Sequence, residues 1–155
     1  MLQLTLFIAF CLSPAAFFAQ TIELDVNGVN IGSSYAAIIE KLGRPSSVKK
    51  GGIVPCSDGS DRIILRYPGL VLMLETNESG ENFGVYDIKV TSNKWSVSGL
   101  KIGTSKNGLL TKFGGGREVQ ENGNPYLAYF ITDGYARFRF KHNRLTEAAW
   151  ELNFC

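Results

Sequence analysis

The first candidates for chemistry are the residue types that act as nucleophiles and bases. The chain has one histidine, His142, which lies in the stretch "FKHNRL" between two predicted strands. A histidine that activates a serine or cysteine must lie beside it, and the sequence places no such nucleophile at this turn. The 14 acidic residues form no recognisable pair for glycoside hydrolysis. These observations predict a protein that is not an enzyme.

Two other stretches have the composition of ligand loops. The run Gly114-Gly115-Gly116 would hold a phosphate only if it preceded a helix, whose first N–H groups face the anion. It follows a predicted helix instead, so we interpret it as the helix end and a loop. The loop "CSDGSD" offers Asp58 and Asp61 but lacks the alternating carboxylates and the closing glutamate of a calcium loop. We therefore predict no cofactor and no metal site.

The N-terminal stretch "MLQLTLFIAFCLSPAAFFAQ" is apolar, has no charged side chain and is interrupted at Ser13-Pro14. This pattern predicts a secretory signal peptide over residues 1–19 and a secreted or periplasmic protein. A spanning helix needs roughly 20 uninterrupted apolar residues, so we expect no membrane insertion once the peptide is removed. Lipid attachment at Cys11 is the alternative, although Phe10 stands where a small residue is usual. Residues 20–155 are long enough for one domain.

Removal of the signal peptide would leave two cysteines, Cys56 and Cys155. In an oxidising compartment they most simply form a disulfide, and closing a loop of about 100 residues stabilises a fold by about 4 to 5 kcal/mol in the chain-entropy model. Two free thiols or an intermolecular bridge are the alternatives. Two cysteines and one histidine are too few for a typical zinc site. The formal net charge of +2 is too small to indicate nucleic acid or an anionic membrane as a partner.

The elements that must position any site follow from a repeat in the sequence. The stretch "NIGSSYAAIIEKLGRPSSV" returns later as "KIGTSKNGLLTKFGGGREV". In each copy a serine or threonine after a glycine provides an N-cap, apolar residues recur at helical spacing, and a glycine ends the pattern. Each copy therefore predicts a helix of about ten residues.

Downstream of each helix the apolar period changes from that of a helix to that of a strand. The stretches "DRIILRYPGLVLMLE" and "NPYLAYFITDGYARFRF" predict hairpins with turns at Pro68-Gly69 and Asp133-Gly134. The stretches "GVYDIKVTS" and "NRLTEAAWEL" predict a further strand in each copy. We predict an α+β fold, a tandem duplication of a helix-plus-antiparallel-strands unit with both helices packed on one face of the sheet. The first unit covers about residues 24–95 and the second about 96–155.

Alternation assigns the two faces of the predicted strands. In "YARFRF", Ala136, Phe138 and Phe140 share the side that meets the helices, and Tyr135, Arg137 and Arg139 share the other. In "YLAYFI" alternation separates two sets of residues and leaves open which is exposed. Aromatic residues and arginine on an outer face indicate a recognition surface. Its predicted residues are Tyr129, Tyr135, Arg137 and Arg139, with Tyr67 from the first unit; Arg66, which points oppositely to Tyr67, is the alternative there.

The unit "IGSSYAAIIEKLGRP" and the hairpin after it resemble the β-lactamase inhibitor protein family, and also the small lipoproteins of the outer-membrane β-barrel assembly machine. The resemblance implies a curved sheet with two helices behind it and a protein-binding role. The second copy reads "FGGGRE" where the family pattern has proline, and Cys56 does not reproduce a disulfide within each repeat. No inhibitory residue is therefore carried over.

These observations predict an exported, non-enzymatic module that binds an unknown protein partner through the outer face of its sheet. A second hypothesis is an envelope structural or assembly protein that acts by self-association. A third is a small-ligand binding protein with a cavity between sheet and helices. The sequence leaves the oligomeric state and the strand order open.

Overall fold

A computed structural model describes residues 21–53, 61–76 and 83–153. The predicted signal peptide, the predicted pair Cys56 and Cys155, and Asp58 lie outside the described residues. The elements are α1 (Tyr35–Leu42), β1 (Ser47–Ile53), β2 (Asp61–Tyr67), β3 (Leu70–Thr76), β4 (Phe83–Val90), β5 (Ser96–Val97), β6 (Leu100–Lys101), α2 (Lys106–Phe113), β7 (Arg117–Glu121), β8 (Asn124–Ile131), β9 (Gly134–Lys141) and β10 (Arg144–Leu152). Within these ranges no helix has the length and hydropathy needed to cross a membrane.

Eight strands form one antiparallel sheet in the order β1-β2-β3-β4-β10-β9-β8-β7. The pairing of β4 with β10 joins the two halves of the chain at the centre of the sheet. The register shifts beside this pair on both sides, between Met73 and Leu74 in β3 and between Leu145 and Glu147 in β10. A third shift lies at the edge of the sheet, between Lys50 and Ile53 in β1. Such bulges bend and twist a sheet locally.

One face of the sheet carries the hydrophobic core. Leu65, Leu72, Ile88, Phe138 and Trp150 are each at most 1% exposed and come from five different strands. The helices add Ile38 from α1 and Leu109 and Phe113 from α2 to the same core. Extended segments add six further buried residues, namely Ile22, Leu24, Val26, Val29, Trp95 and Val97. The layer that covers the core is therefore made of extended chain as much as of helix.

The predicted fold class is wrong. The molecule is mostly sheet, with two helices of eight residues each, and is not an α+β tandem duplication in which helices cover the face of the sheet. The helices are two turns long and contribute three buried residues, too few to cover eight strands. The prediction failed because a helical period shows where a helix forms and not how much of the sheet it covers. The alternation of Ile22, Leu24 and Val26 with polar residues indicates an extended segment, but the spacing does not place that segment over the core.

The predicted helix ends are confirmed. Ser34 and Ser105 accept hydrogen bonds from the N–H groups of Ala37 and Gly108, which satisfies one free N–H at each helix start. Gly43 and Gly114 follow the last helical residues at φ of 76° and 75°, a conformation that glycine adopts at little cost. The glycine run after α2 is thus a helix end, as predicted.

Candidate functional site

The face opposite the core, here called the open face, is the candidate site. It forms a concavity of about 580 Å³. Because β2 and the β7–β8 turn both contribute to its lining, the sheet curls around it. The lining residues are Arg66, Val71, Met73, Asp87, Lys89, Glu121, Asn122, Arg137, Arg139, Glu147 and Ala149.

Ion pairs connect β4, β10 and β9, and reach past β8 to β7, across this concavity. The Arg139 guanidinium contacts the carboxylate of Glu121 and lies 3.2 Å from that of Glu147. The second oxygen of Glu147 lies 2.7 Å from Lys89 Nζ, and Arg137 lies 3.1 Å from Glu151. A network of partly buried pairs holds its side chains more firmly than isolated surface pairs do. Arg139 is therefore held between two carboxylates, and Arg137 is paired with one.

Each fixed arginine also lies over a tyrosine ring. The Arg137 guanidinium carbon is 5.4 Å from the centre of the Tyr135 ring, and that of Arg139 is 5.3 Å from the Tyr126 ring, within the range of a cation–π contact. Phe130 lies directly across from Tyr135 in the register. The side chains of Phe130 and Tyr135 are 55% and 37% exposed, so this part of the face presents ordered aromatic surface to solvent.

Asp87 lies at the centre of the open face, directly across from Glu151 on β10. Burial, and secondly the negative charge of Glu151, raise its pKa from 3.8 to about 6, against the opposing effect of Arg137, Lys89 and Arg62. Like charges directly opposite each other in a sheet are unfavourable. The folded protein therefore disfavours ionisation of the Asp87 carboxyl group.

The structure brings three of the predicted residues together, since Tyr135, Arg137 and Arg139 all lie on the open face of β9. The prediction that Tyr67 and Tyr129 belong to the recognition surface is wrong, because both are buried on the core side, at 7% and 5% exposure. Their hydroxyl groups donate hydrogen bonds of 2.9 Å to the carbonyl oxygens of Gly43 and Gly114. Both tyrosines therefore anchor the helix ends and are not part of a recognition surface.

The sequence had left either Tyr67 or Arg66 as the residue that the first hairpin contributes to the outer face. The structure favours Arg66, which lines the concavity, whereas Tyr67 is buried. Sequence reasoning missed the aromatic residues Tyr126 and Phe130. The alternation in "YLAYFI" had separated these two from the buried set, and the signal for choosing between the sets lies in the pairing of β8 with β9. Phe130 opposes Tyr135, which the sequence had already placed on the outer side.

His142, Asp61 and the glycine run after α2 are not among the residues that line the concavity. His142 occupies the β9–β10 turn at φ 48°, as the sequence analysis expected for a turn residue. In the part of the chain that the structure describes, no three His, Cys, Asp or Glu side chains come together as a metal site. The open face thus combines ion pairs, two guanidinium–tyrosine contacts and the carboxyl group of Asp87.

Comparisons with known proteins give a likeness of fold. No protein-family model matches the sequence, and no curated protein matches it. Two solved structures are similar. One is an extracellular protein containing an SCP domain from Bacillus anthracis str. Ames, at 16% identity and a TM-score of 0.48 over 80% of this chain and 44% of that one. The other is a cysteine-rich secretory protein from Staphylococcus aureus subsp. aureus Mu50, at 14% identity and a TM-score of 0.50 over 79% of this chain and 44% of that one.

The chain spans less than half the length of either of these proteins. At such identities the likeness concerns the fold alone.

Proposed function

We propose that the protein is an exported, non-enzymatic module that binds another protein through the open face of its sheet. The observation that carries the proposal is a group of aromatic and arginine side chains on the open face: Arg137 and Arg139 line the concavity, and Tyr126, Phe130 and Tyr135 lie beside them on β8 and β9. Tyrosine and arginine dominate the binding energy of protein interfaces, and they do so in recessed, well-packed places.

The charge arrangement favours a protein partner. A bare guanidinium buried by a partner must lose its water and find a new counter-ion. Arg137 and Arg139 already have Glu151, Glu121 and Glu147 as counter-ions, so a partner that covers them leaves these pairs intact. Fixed side chains also lose little conformational entropy on binding. The face is therefore preorganised for contact over a broad surface.

Export is supported by the sequence pattern of residues 1–19, and the Staphylococcus aureus protein of similar fold is described as secretory. The resemblance of the sequence to inhibitor and assembly proteins also favours a protein as the ligand. We therefore propose to look for the partner among envelope and extracellular proteins.

The test begins with affinity capture by the mature chain, residues 20–155, from envelope and culture extracts, followed by titration of the captured protein. The variant Tyr135→Ala with Arg137→Ala should weaken binding by more than about 2 kcal/mol, which is about thirtyfold in Kd. The matched control is Tyr35→Ala with Arg44→Ala, because the Tyr35 ring is also 37% exposed but lies on α1, outside the open face.

Equal loss of binding in both double variants, or no loss in either, would contradict the proposal. Light scattering of the mature chain after size exclusion addresses the self-association hypothesis. A stable oligomer that the Tyr135 and Arg137 variant dissociates would identify a second copy as the partner of the open face. An oligomer that this variant leaves intact would place self-association elsewhere on the molecule.

A further inference from the structure

Four positively charged side chains lie in one row across the open face, on every second strand of the sheet. They are Arg66 of β2, Lys89 of β4, Arg137 of β9 and Arg117 of β7, and we call them the cation row. Side chains opposite each other in neighbouring strands point to the same face, so all four point away from the core. The register connects each cation to the next through one residue of the strand between them, in turn Val71, Ala149 and Ala128.

The cation row is regular in spacing and in charge. Neighbouring strands are about 4.8 Å apart, so successive cations are about 10 Å apart and the row measures about 29 Å along the sheet from Arg66 to Arg117. The residues between the cations are uncharged, so the row contains no carboxylate of its own. An extended chain advances about 3.3 Å per residue, and about nine residues would therefore follow the row from end to end.

The two inner cations have counter-ions, and the two outer cations have none. Lys89 and Arg137 pair with carboxylates of β10 at 2.7 Å and 3.1 Å. Arg66 and Arg117 are exposed, and neither guanidinium group makes an ion pair or a hydrogen bond within the part of the chain that the structure describes. The uncompensated positive charge of the row therefore lies at its two ends.

This distribution of charge restricts the kind of partner that can cover the open face. Arg66 lines the concavity, and a partner that removes its water without supplying a counter-ion would leave a charge unpaired, which is strongly unfavourable. A carboxylate is the counter-ion that fits best, because a guanidinium group can bind both of its oxygens at once. A partner with carboxylates about 29 Å apart along its surface would satisfy both ends of the row.

We propose that the partner contacts the open face with an extended acidic segment, which crosses the strands along the cation row and places carboxylates against Arg66 and Arg117. This inference rests on the proposed function, because it names the chemistry of the protein that the open face binds. The inner pairs of Lys89 and Arg137 with β10 stay intact under the segment, so the outer arginines select the charge of the partner.

The test measures the binding of synthetic peptides to the mature chain, residues 20–155, by fluorescence anisotropy. The spanning peptide is a decapeptide with two glutamates at each end and six glutamines between them. Tetraglutamate has the same number of carboxylate side chains, and decaglutamine has none. All three have blocked termini and the same uncharged fluorophore. Fully extended, ten residues reach about 33 Å and four reach about 13 Å, so only the decapeptides are long enough for both outer arginines.

We expect the spanning peptide to bind about tenfold or more tightly than tetraglutamate, because its second contact is intramolecular once the first has formed. Decaglutamine should not bind. Added salt should weaken the binding of the spanning peptide, since it screens exposed charges.

Three double variants assign the binding to the outer arginines. Arg66→Ala with Arg117→Ala should weaken binding of the spanning peptide about tenfold or more, and Arg66→Lys with Arg117→Lys, which keeps the charge, should stay within about threefold of wild type. The matched control is Lys101→Ala with Lys112→Ala. It removes the same charge from exposed residues of β6 and α2, elements that pack against the core on the other side of the sheet, and should leave the affinity within about twofold. Circular dichroism confirms that the variants are folded.

Four results would overturn the inference. They are no binding of the spanning peptide, equally tight binding of tetraglutamate, equal losses in the two alanine double variants, and equally tight binding of a ten-nucleotide single strand of DNA, which would indicate a surface for any polyanion. The proposed function fails on a different result. A captured protein that is lost with the Tyr135 and Arg137 variant but retained by the Arg66 and Arg117 variant would keep the proposed function and overturn this inference.

Discussion

Replacement of Asp87 by asparagine should stabilise the protein at neutral pH. Asp87 is held at a pKa of about 6, mainly because burial disfavours its charge and secondly because Glu151 faces it across the strand pair. The folded state therefore binds the proton more tightly than the unfolded chain, in which the ordinary pKa is 3.8. Stability contributed by this group is present at low pH and is lost as the pH rises through about 4 to about 6.

The difference between the two pKa values corresponds to about 3 kcal/mol once the carboxylate is fully ionised. Asparagine has nearly the same shape and no charge, so the variant should be more stable than the wild type by about 2 to 3 kcal/mol at pH 7.5. At pH 4 the advantage should fall below about 1 kcal/mol, because the folded wild type is then protonated as well. The attractions of Arg137, Lys89 and Arg62, which asparagine loses, are already included in the shifted pKa.

The assay is urea unfolding followed by tryptophan fluorescence, for wild type and Asp87→Asn at both pH values. Asp61→Asn is the control, since Asp61 is an exposed residue at the start of β2, and it should change stability little at either pH. In a Glu151→Gln background the second cause of the shift is removed, so Asp87→Asn should gain less. This reasoning would be refuted if Asp87→Asn were less stable than wild type at pH 7.5, or if its stability advantage over wild type were the same at both pH values.

Two further predictions concern contacts that shape the fold. Tyr67→Phe and Tyr129→Phe should each lower the free energy of unfolding by about 1 kcal/mol, because each removes a hydroxyl donor from the carbonyl of a helix-ending glycine; urea unfolding measures this, and unchanged stability would show that neither bond contributes. Gly134→Ala should lower the free energy of unfolding by about 2 kcal/mol or more, because an added Cβ would lie 2.1 Å from the Glu151 carbonyl oxygen. Gly123→Ala is its control, with φ of 77° and no atom within 4 Å of an added Cβ, and should cost only about 1 kcal/mol; equal losses in the two variants would contradict the close approach at Gly134.

Local features of the fold could be predicted from sequence because neighbouring residues determine them. The N-cap at Ser34, the helix end at Gly43 and the turn at Asp133 depend on a few adjacent side chains. The composition of the covering layer could not be predicted in the same way. Asp25 bonds Ser98 through both its N–H and its carboxylate, and such a contact between distant segments has no periodic signature.

In the candidate site, too, residues of one strand could be predicted from sequence, while their partners on other strands could not. Arg137 and Arg139 were identified because they alternate with Phe138 in one strand. Their counter-ions Glu147 and Glu151 belong to β10, and only the strand order places them opposite. Tyr129 was misassigned because alternation separates two faces without stating which is buried. The pairing of β8 with β9 decides the question, because Tyr129 lies opposite Ala136 on the core side.

The central position of β10 links the open face to the hydrophobic core through one strand. Its residues Glu147 and Glu151 pair with the arginines of the open face, while Trp150 between them is buried in the core on the other side. A strand paired on both edges can shift little without breaking its ladder, and β10 is paired with both β4 and β9. Because successive side chains of a strand point to opposite faces, the packing of Trp150 in the core also fixes where the two carboxylates of the open face lie.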